Sequence, residues 1–156
     1  MTREEVVTMP HAGLMHERSM GPEEGPLLRA RLHIRGGRRR LRQGKIAAGV
    51  AAIADALSAA LEWYAASPER RVQIGLRSAR DAQDDRMVYQ ALVRTKAISG
   101  IFDYDLFDRL TVRSFSDDLS DIDHRSLMSD FEKLMTELGV LPFDEETLPK
   151  EDPGTF

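Results

Sequence analysis

Apolar residues recur at steps of three and four through GKIAAGVAAIADALSAALEWYAAS, Gly44 to Ser67. Ile46, Val50, Ile53, Leu57, Leu61 and Tyr64 thereby stack on one face of a helix with about 3.6 residues per turn. The flanks are alanine or glycine, and Asp55, Ser58 and Glu62 leave a narrow polar line. A helix that is small and apolar nearly all round packs on several sides. The pattern predicts the central helix of a bundle, enclosed by neighbours of its own chain or by a second subunit.

The same reading places the remaining elements. A first helix is expected from Leu27 to about Gln43, with Gly36 and Gly37 as a potential break. Pro68 ends the central helix, and the alternating Val72 to Leu76 stretch has no second strand to pair with, so it reads as an irregular connector. Ser78 followed by Asp81 is a variant capping box, and the apolar stripe Met87, Val88, Ala91, Leu92 and Ile98 predicts a third helix over 79–97. Asp103 and Asp123 each read as an N-cap, with Phe102 and Phe107, and then Ile122 and Leu127, spaced as hydrophobic staples. Phe131, Leu134 and Leu138 continue the last stripe to Gly139, placed as a C-terminal glycine. The prediction is an all-α, up-and-down bundle of four main helices plus one short one.

Outside the periodic region the chain changes character. Residues 1–26 are polar and interrupted by Pro10, Gly13, Gly21, Pro22, Gly25 and Pro26, which predicts a flexible N-terminal arm. Residues 27–139 form the bundle domain. Residues 140–156, VLPFDEETLPKEDPGTF, read as an extended acidic tail that Leu141, Phe143 and Leu148 pin across the bundle, its last half dozen residues loose. Met9, Met15 and Met20 are alternative starts. With 42% hydrophobic residues the chain can build one core, and the absence of cysteine excludes disulfides, thiolate metal sites and cysteine nucleophiles. No apolar run reaches about 18 residues free of charge, so the chain reads as cytoplasmic, without a membrane span.

Charge is distributed unevenly behind a net value of −4. Between Leu27 and Ala54 there are eight basic residues and no acid; between Asp103 and Asp130 there are eight aspartates against three arginines. The run RGGRRRLR makes Arg35, Arg38, Arg39, Arg40 and Arg42 candidate contacts for phosphate or for a partner. The simpler reading is a helix face partly neutralised by the acidic helices or by a partner, which low aromatic content and overall acidity favour over nucleic acid.

Candidate chemistry is sparse. DDLSD at 117–121 matches in letters the aspartate-rich magnesium box of isoprenoid synthases, but the chain lacks their second box and long helices, and a linker leading to the Asp123 cap accounts for it. It also lacks the glycine and terminal glutamate of a calcium loop. His11 and His16 lie five apart in the arm, a spacing that does not suit one helix face, and His124 directly follows a cap. No serine elbow of the Gly-x-Ser-x-Gly type occurs. Asp55 is a candidate for a buried carboxylate with raised pKa, or a member of the polar line that meets water or an arginine. Trp63 and Tyr64 are candidate interface residues, since aromatics with polar ends anchor subunit contacts. No cofactor and no metal follow from any spacing.

The early basic helix followed by the alanine-rich LRQGKIAAGVAAIADALSAALEWY and further helices resembles the HEPN domains, small bacterial and archaeal helical bundles. That resemblance implies a partner of nucleotidyltransferases or a ribonuclease carrying an arginine and a histidine separated by four to six intervening residues. The motif is absent: Arg29 precedes His33 by three intervening residues and Arg113 precedes His124 by ten. Gly44, Ala56 and Pro68 are similar in spacing to one tetratricopeptide unit, without a second unit. The expected function is a non-enzymatic protein-interaction or adaptor module, possible as a homodimer, its partner unidentified. The alternative is an RNA-binding or RNA-processing protein in which the arginine run holds phosphates and His33 or His124 supplies acid-base chemistry.

Overall fold

A computed structural model describes residues 20–152 and 154. The expected arm, with His11, His16, Met9 and Met15, lies outside the described residues except at its end. Six α-helices make up the described fold: α1 (Glu24–Arg42), α2 (Ile46–Ala66), α3 (Pro68–Gln73), α4 (Asp85–Arg94), α5 (Tyr104–Arg113) and α6 (His124–Leu138). Short 3-10 turns at Asp81–Gln83 and Glu145–Thr147 complete it, and no strand occurs among the described residues.

The central helix is α2. Val50, Ile53, Ala56, Ala59, Ala60 and Leu61 are wholly buried in one core with Ala30 and Ile34 of α1, Val88 and Leu92 of α4, Phe107 of α5 and Phe131 and Met135 of α6. By length and composition α2 is apolar enough to cross a bilayer. Half of that stretch is nevertheless buried, and Asp55 and Glu62 stand on its exposed line. The small flanks are therefore covered from within the same chain.

Glycine makes the first of these contacts close. Gly36 and Gly37 do not break α1, which runs through them for 19 residues with both buried. A Cβ on Gly37 would come to 2.6 Å from Ile53 Cγ2, and one on Gly49 to 2.6 Å from Leu41 Cδ2 and 3.3 Å from the Leu41 amide nitrogen. The two helix backbones thus approach each other where each lacks a side chain. Between them the chain reverses at Gly44, whose φ of 77° suits glycine.

Several boundaries differ from the pattern-based reading. Gly25 and Pro26 belong to α1 and are buried, because the helix begins at Glu24. Val72 to Leu76 is not a plain connector: Pro68 starts α3 at its first position, where a missing N–H is harmless, and the Ser67 hydroxyl accepts from the Arg70 amide. With α3 the described residues hold six helices where five were expected. The third expected helix shortens at both ends, since the Asp84 carboxylate, not Ser78, caps it by accepting from the amides of Arg86 and Met87. Asp84 is the residue that leaves helical geometry, with ψ at 109°.

Elsewhere the local grammar appears as read. Asp103 accepts from the Leu106 amide and Asp123 from the Ser126 amide. Phe102 and Phe107 meet edge to face at 5.3 Å. Gly139 closes α6 in the left-handed conformation at φ 94°. Beyond it Val140 and Leu148 are buried while Leu141 and Phe143 pack on the core, which fastens the tail across the bundle. Burying two such side chains contributes roughly 1.5–3 kcal/mol each.

The glycines divide by environment, and substitution separates them. Gly49→Ala and Gly37→Ala are expected to destabilise by about 1–3 kcal/mol through overpacking. Gly36→Ala meets only the flexible end of Arg40, at 2.7 Å, and is expected to be neutral or to stabilise by about 0.5–1 kcal/mol through helix propensity. Urea denaturation of the three variants checks this order.

Candidate functional site

The arginine run lies along α1, and the structure divides it. Arg38 Nε donates to Glu132 of α6 at 3.0 Å and its Nη1 to Glu145 of the tail at 3.5 Å. Arg35 and Arg39 both meet Glu151, Arg35 at 3.6 Å. The Phe143 ring lies between Arg31 and Arg38, whose guanidinium carbons sit 5.5 and 5.9 Å from its centre. Arg31 Nε also donates to the Val140 carbonyl. The neutralising acids come from α6 and the tail, not from the aspartate-rich 103–130 region. Glu151 is accordingly held on the bundle, although the last half dozen residues were expected to be loose.

Arg40 and Arg42 complete the run without an ion pair among the described residues. Burial lowers the Arg40 pKa, with Arg39 adding to the effect. Arg42 instead faces an open cavity of about 640 Å³ with Arg38, His124, Arg125, Met128, Glu132 and Glu145. His124 and the arginine run, distant in sequence, are thereby brought to one place. His33 stays half-buried on α1.

Trp63 and Tyr64 carry Arg70. Its guanidinium lies 4.3 Å from the Trp63 ring centre and 5.4 Å from that of Tyr64, and donates to the Trp63 and Tyr64 carbonyls at 2.8 and 2.9 Å. These carbonyls belong to the last turn of α2, which has no helical N–H to offer them. Glu23 holds the same guanidinium from the other side at 2.7 Å. The two rings thus form part of a clamp that closes the end of the central helix.

The polar line of α2 resolves into separate partners. Asp55 is exposed, Glu62 pairs with Arg29, and the Ser58 hydroxyl donates to Asp85 at 2.7 Å. For Asp85 burial raises the pKa, aided by Glu62 and Asp84 and opposed by the Ser58 hydrogen bond and Arg29. It lines a niche of about 120 Å³ with Ser58, Tyr104, Phe107, Asp108 and Thr111. Burial likewise raises Tyr104, with Asp85 the next cause. The pattern missed Asp85 because it reads as an ordinary first-turn acid; its surroundings come from α2 and α5, distant in sequence.

The 117–121 pentad folds on itself. Asp117 and Asp121 both accept from Arg113, at 2.9 and 3.1 Å, while Asp117 and Asp118 accept from the Leu119 and Ser120 amides. Leu119 is fully buried beneath them. Among the described residues no three histidine, aspartate or glutamate side chains gather as a metal set.

No family model, curated protein or solved structure matches the chain. The likeness to HEPN bundles therefore rests on the residues quoted for it.

Asp85 makes a signed pH prediction. Its folded-state pKa lies above the unfolded value, so the folded protein binds the proton more tightly and stability falls as pH rises through that window. In Asp85→Asn this slope disappears. The stability of the variant relative to wild type is expected to improve as pH rises from about 3 to about 7, a span that brackets ordinary carboxylate titration. Thermal melts across that range check the sign.

Proposed function

We propose that the protein is a non-enzymatic cytoplasmic adaptor, and that α5 receives a basic, apolar segment of a protein partner. One observation carries the reading. Asp105, Asp108 and Val112 follow at steps of three and four on the side of α5 away from the buried Phe107 and Leu110, Phe115 lies in the turn just beyond the helix end, and Phe115 and Val112 are 80% and 65% exposed. Exposed apolar groups rimmed by charge mark interaction surfaces. The tail and α6 neutralise much of the arginine run internally, whereas the eight aspartates of 103–130 have fewer cations of their own. The surface around Val112 and Phe115 is acidic. Arg86 offsets Asp105 and Asp108 and holds the Asp105 pKa down, whereas Asp118, three residues beyond Phe115, has no ion pair among the described residues. The likeness to HEPN bundles, many of which look like partners of other proteins, supports the same class.

A photo-crosslinking residue in place of Phe115, expressed in the native host, is expected to trap a partner peptide rich in Lys or Arg. Asp118→Lys should abolish the adduct in protein whose circular dichroism shows it still folded. The same adduct from a crosslinker at Gln73, or its persistence in Asp118→Lys, would overturn the reading.

A second reading draws on the meeting of His124 with Arg38, Arg42 and Arg125 around one cavity. RNA phosphates on the arginines would present a ribose to the imidazole, whose ring nitrogens can serve as general acid or base. This reading expects metal-free protein to cleave mixed RNA and His124→Ala to lose the activity. The adaptor reading expects no histidine-dependent cleavage.

A further inference from the structure

We infer that the cavity between the end of α1 and the start of α6 is a binding site for a small phosphate monoester of about nucleotide size. Arg42 stands in the last turn of α1 and Arg125 in the first turn of α6, and they line the same cavity. Neither has a carboxylate within ion-pair distance among the described residues. Glu132 and Glu145 are also in the lining and both pair with Arg38, Glu145 the more loosely. The lining thus carries three guanidiniums against two carboxylates, an excess of positive charge that grows if Glu145 leaves and that an anion relieves.

The geometry favours phosphate over a monovalent anion. Guanidinium presents parallel N–H donors that match phosphate oxygens in pairs, and two arginines on different helices can engage one dianion from two directions. The His124 ring offers a further donor on the α6 side, where the positive end of the helix dipole adds to the field. Leu41 and Met128 supply an apolar part of the lining. A volume of about 640 Å³ is in the range of small-ligand sites. The ligand thus carries a phosphate at one end and a flat or apolar group at the other.

The tail enters the same equilibrium. Glu145 reaches Arg38 at 3.5 Å from a side chain that is half exposed, a weak exposed pair, whereas Glu132 holds the same guanidinium at 3.0 Å. A phosphate dianion entering the cavity competes with Glu145 for Nη1 of Arg38, and occupancy loosens the tail at that point. No bond is made or broken; this is binding alone.

Calorimetric titration of the full chain with a nucleoside 5′-monophosphate, the unphosphorylated nucleoside and inorganic phosphate tests the inference. The monophosphate should bind about tenfold or more tightly than the nucleoside, and more tightly than inorganic phosphate. Arg42→Gln with Arg125→Gln should remove that preference with an unchanged melting curve, since both are surface side chains without ion pairs. Glu145→Gln should tighten binding, which a purely structural role for these residues would not do. Equal binding of monophosphate and nucleoside, or indifference to the arginine substitutions, would overturn the site. No response to Glu145→Gln would overturn the competition with the tail. A 5′-phosphorylated oligonucleotide should bind no more tightly than the mononucleotide; tighter binding would assign the phosphate to nucleic-acid ends and overturn the small-molecule assignment.

Discussion

The close crossing of α1 on α2 is the constraint from which the remaining structure follows. Gly37 and Gly49 let the two helices meet with Ile53 and Leu41 filling the space that side chains at the glycines would take. Interiors packed at crystal-like density leave no allowance for an added methyl group there. Because α1 lies tight on α2, its opposite side is carried outward as one continuous face. Around the buried Ala30, Ile34, Gly37 and Leu41 the rest of the helix surface carries seven arginines.

A positively charged face of this density needs counterions, and the chain provides several of them from a distance. Glu132 arrives on α6 and Glu145 and Glu151 on the tail, with Phe143 laid between two guanidiniums. Individually such pairs at a surface are worth little, about 0–1 kcal/mol. Their position matters more than their sum. The tail is already fastened by Val140 and Leu148, so the ordering needed to form the pairs is largely met by apolar burial. The same logic closes the other end of the molecule, where Arg70 satisfies two end carbonyls of α2 while stacked on Trp63 and Tyr64. Arginine suits both duties because its planar group can donate in its plane and stack on its face.

Charge segregation in the chain thus becomes something different in three dimensions. The basic half is partly matched by the chain's own glutamates, with Arg40 and Arg42 left without an ion pair among the described residues. The aspartate-rich half keeps its charge at the surface, beside Val112 and Phe115. Two surfaces of opposite character result, an acidic and apolar stripe on α5 and a cationic cavity between α1 and α6. Asp85 belongs to neither; it is a half-buried acid whose Ser58 partner and aromatic neighbours close a small niche.

What was legible in the sequence is what short-range physics decides. The stripe Ile46, Val50, Ile53, Leu57 and Leu61 specified a buried helix because its period matches the backbone, and Asp103, Asp123 and Gly139 marked helix ends because capping involves neighbours within four residues. Glycine was ambiguous at that range: Gly36 and Gly37 read as a break, yet the absence of Cβ served close packing against a residue sixteen positions away. The extent of α4 was misread for a related reason, since Ser78 and Asp84 are both competent caps and the surrounding backbone selects between them. No local rule pairs Arg38 with Glu132 or Glu145, Ser58 with Asp85, or His124 with Arg42. Sequence by itself determined which segments are helical and which faces are apolar; tertiary structure alone decided which charges are neutralised, because Coulomb interactions depend on distance in space and not along the chain.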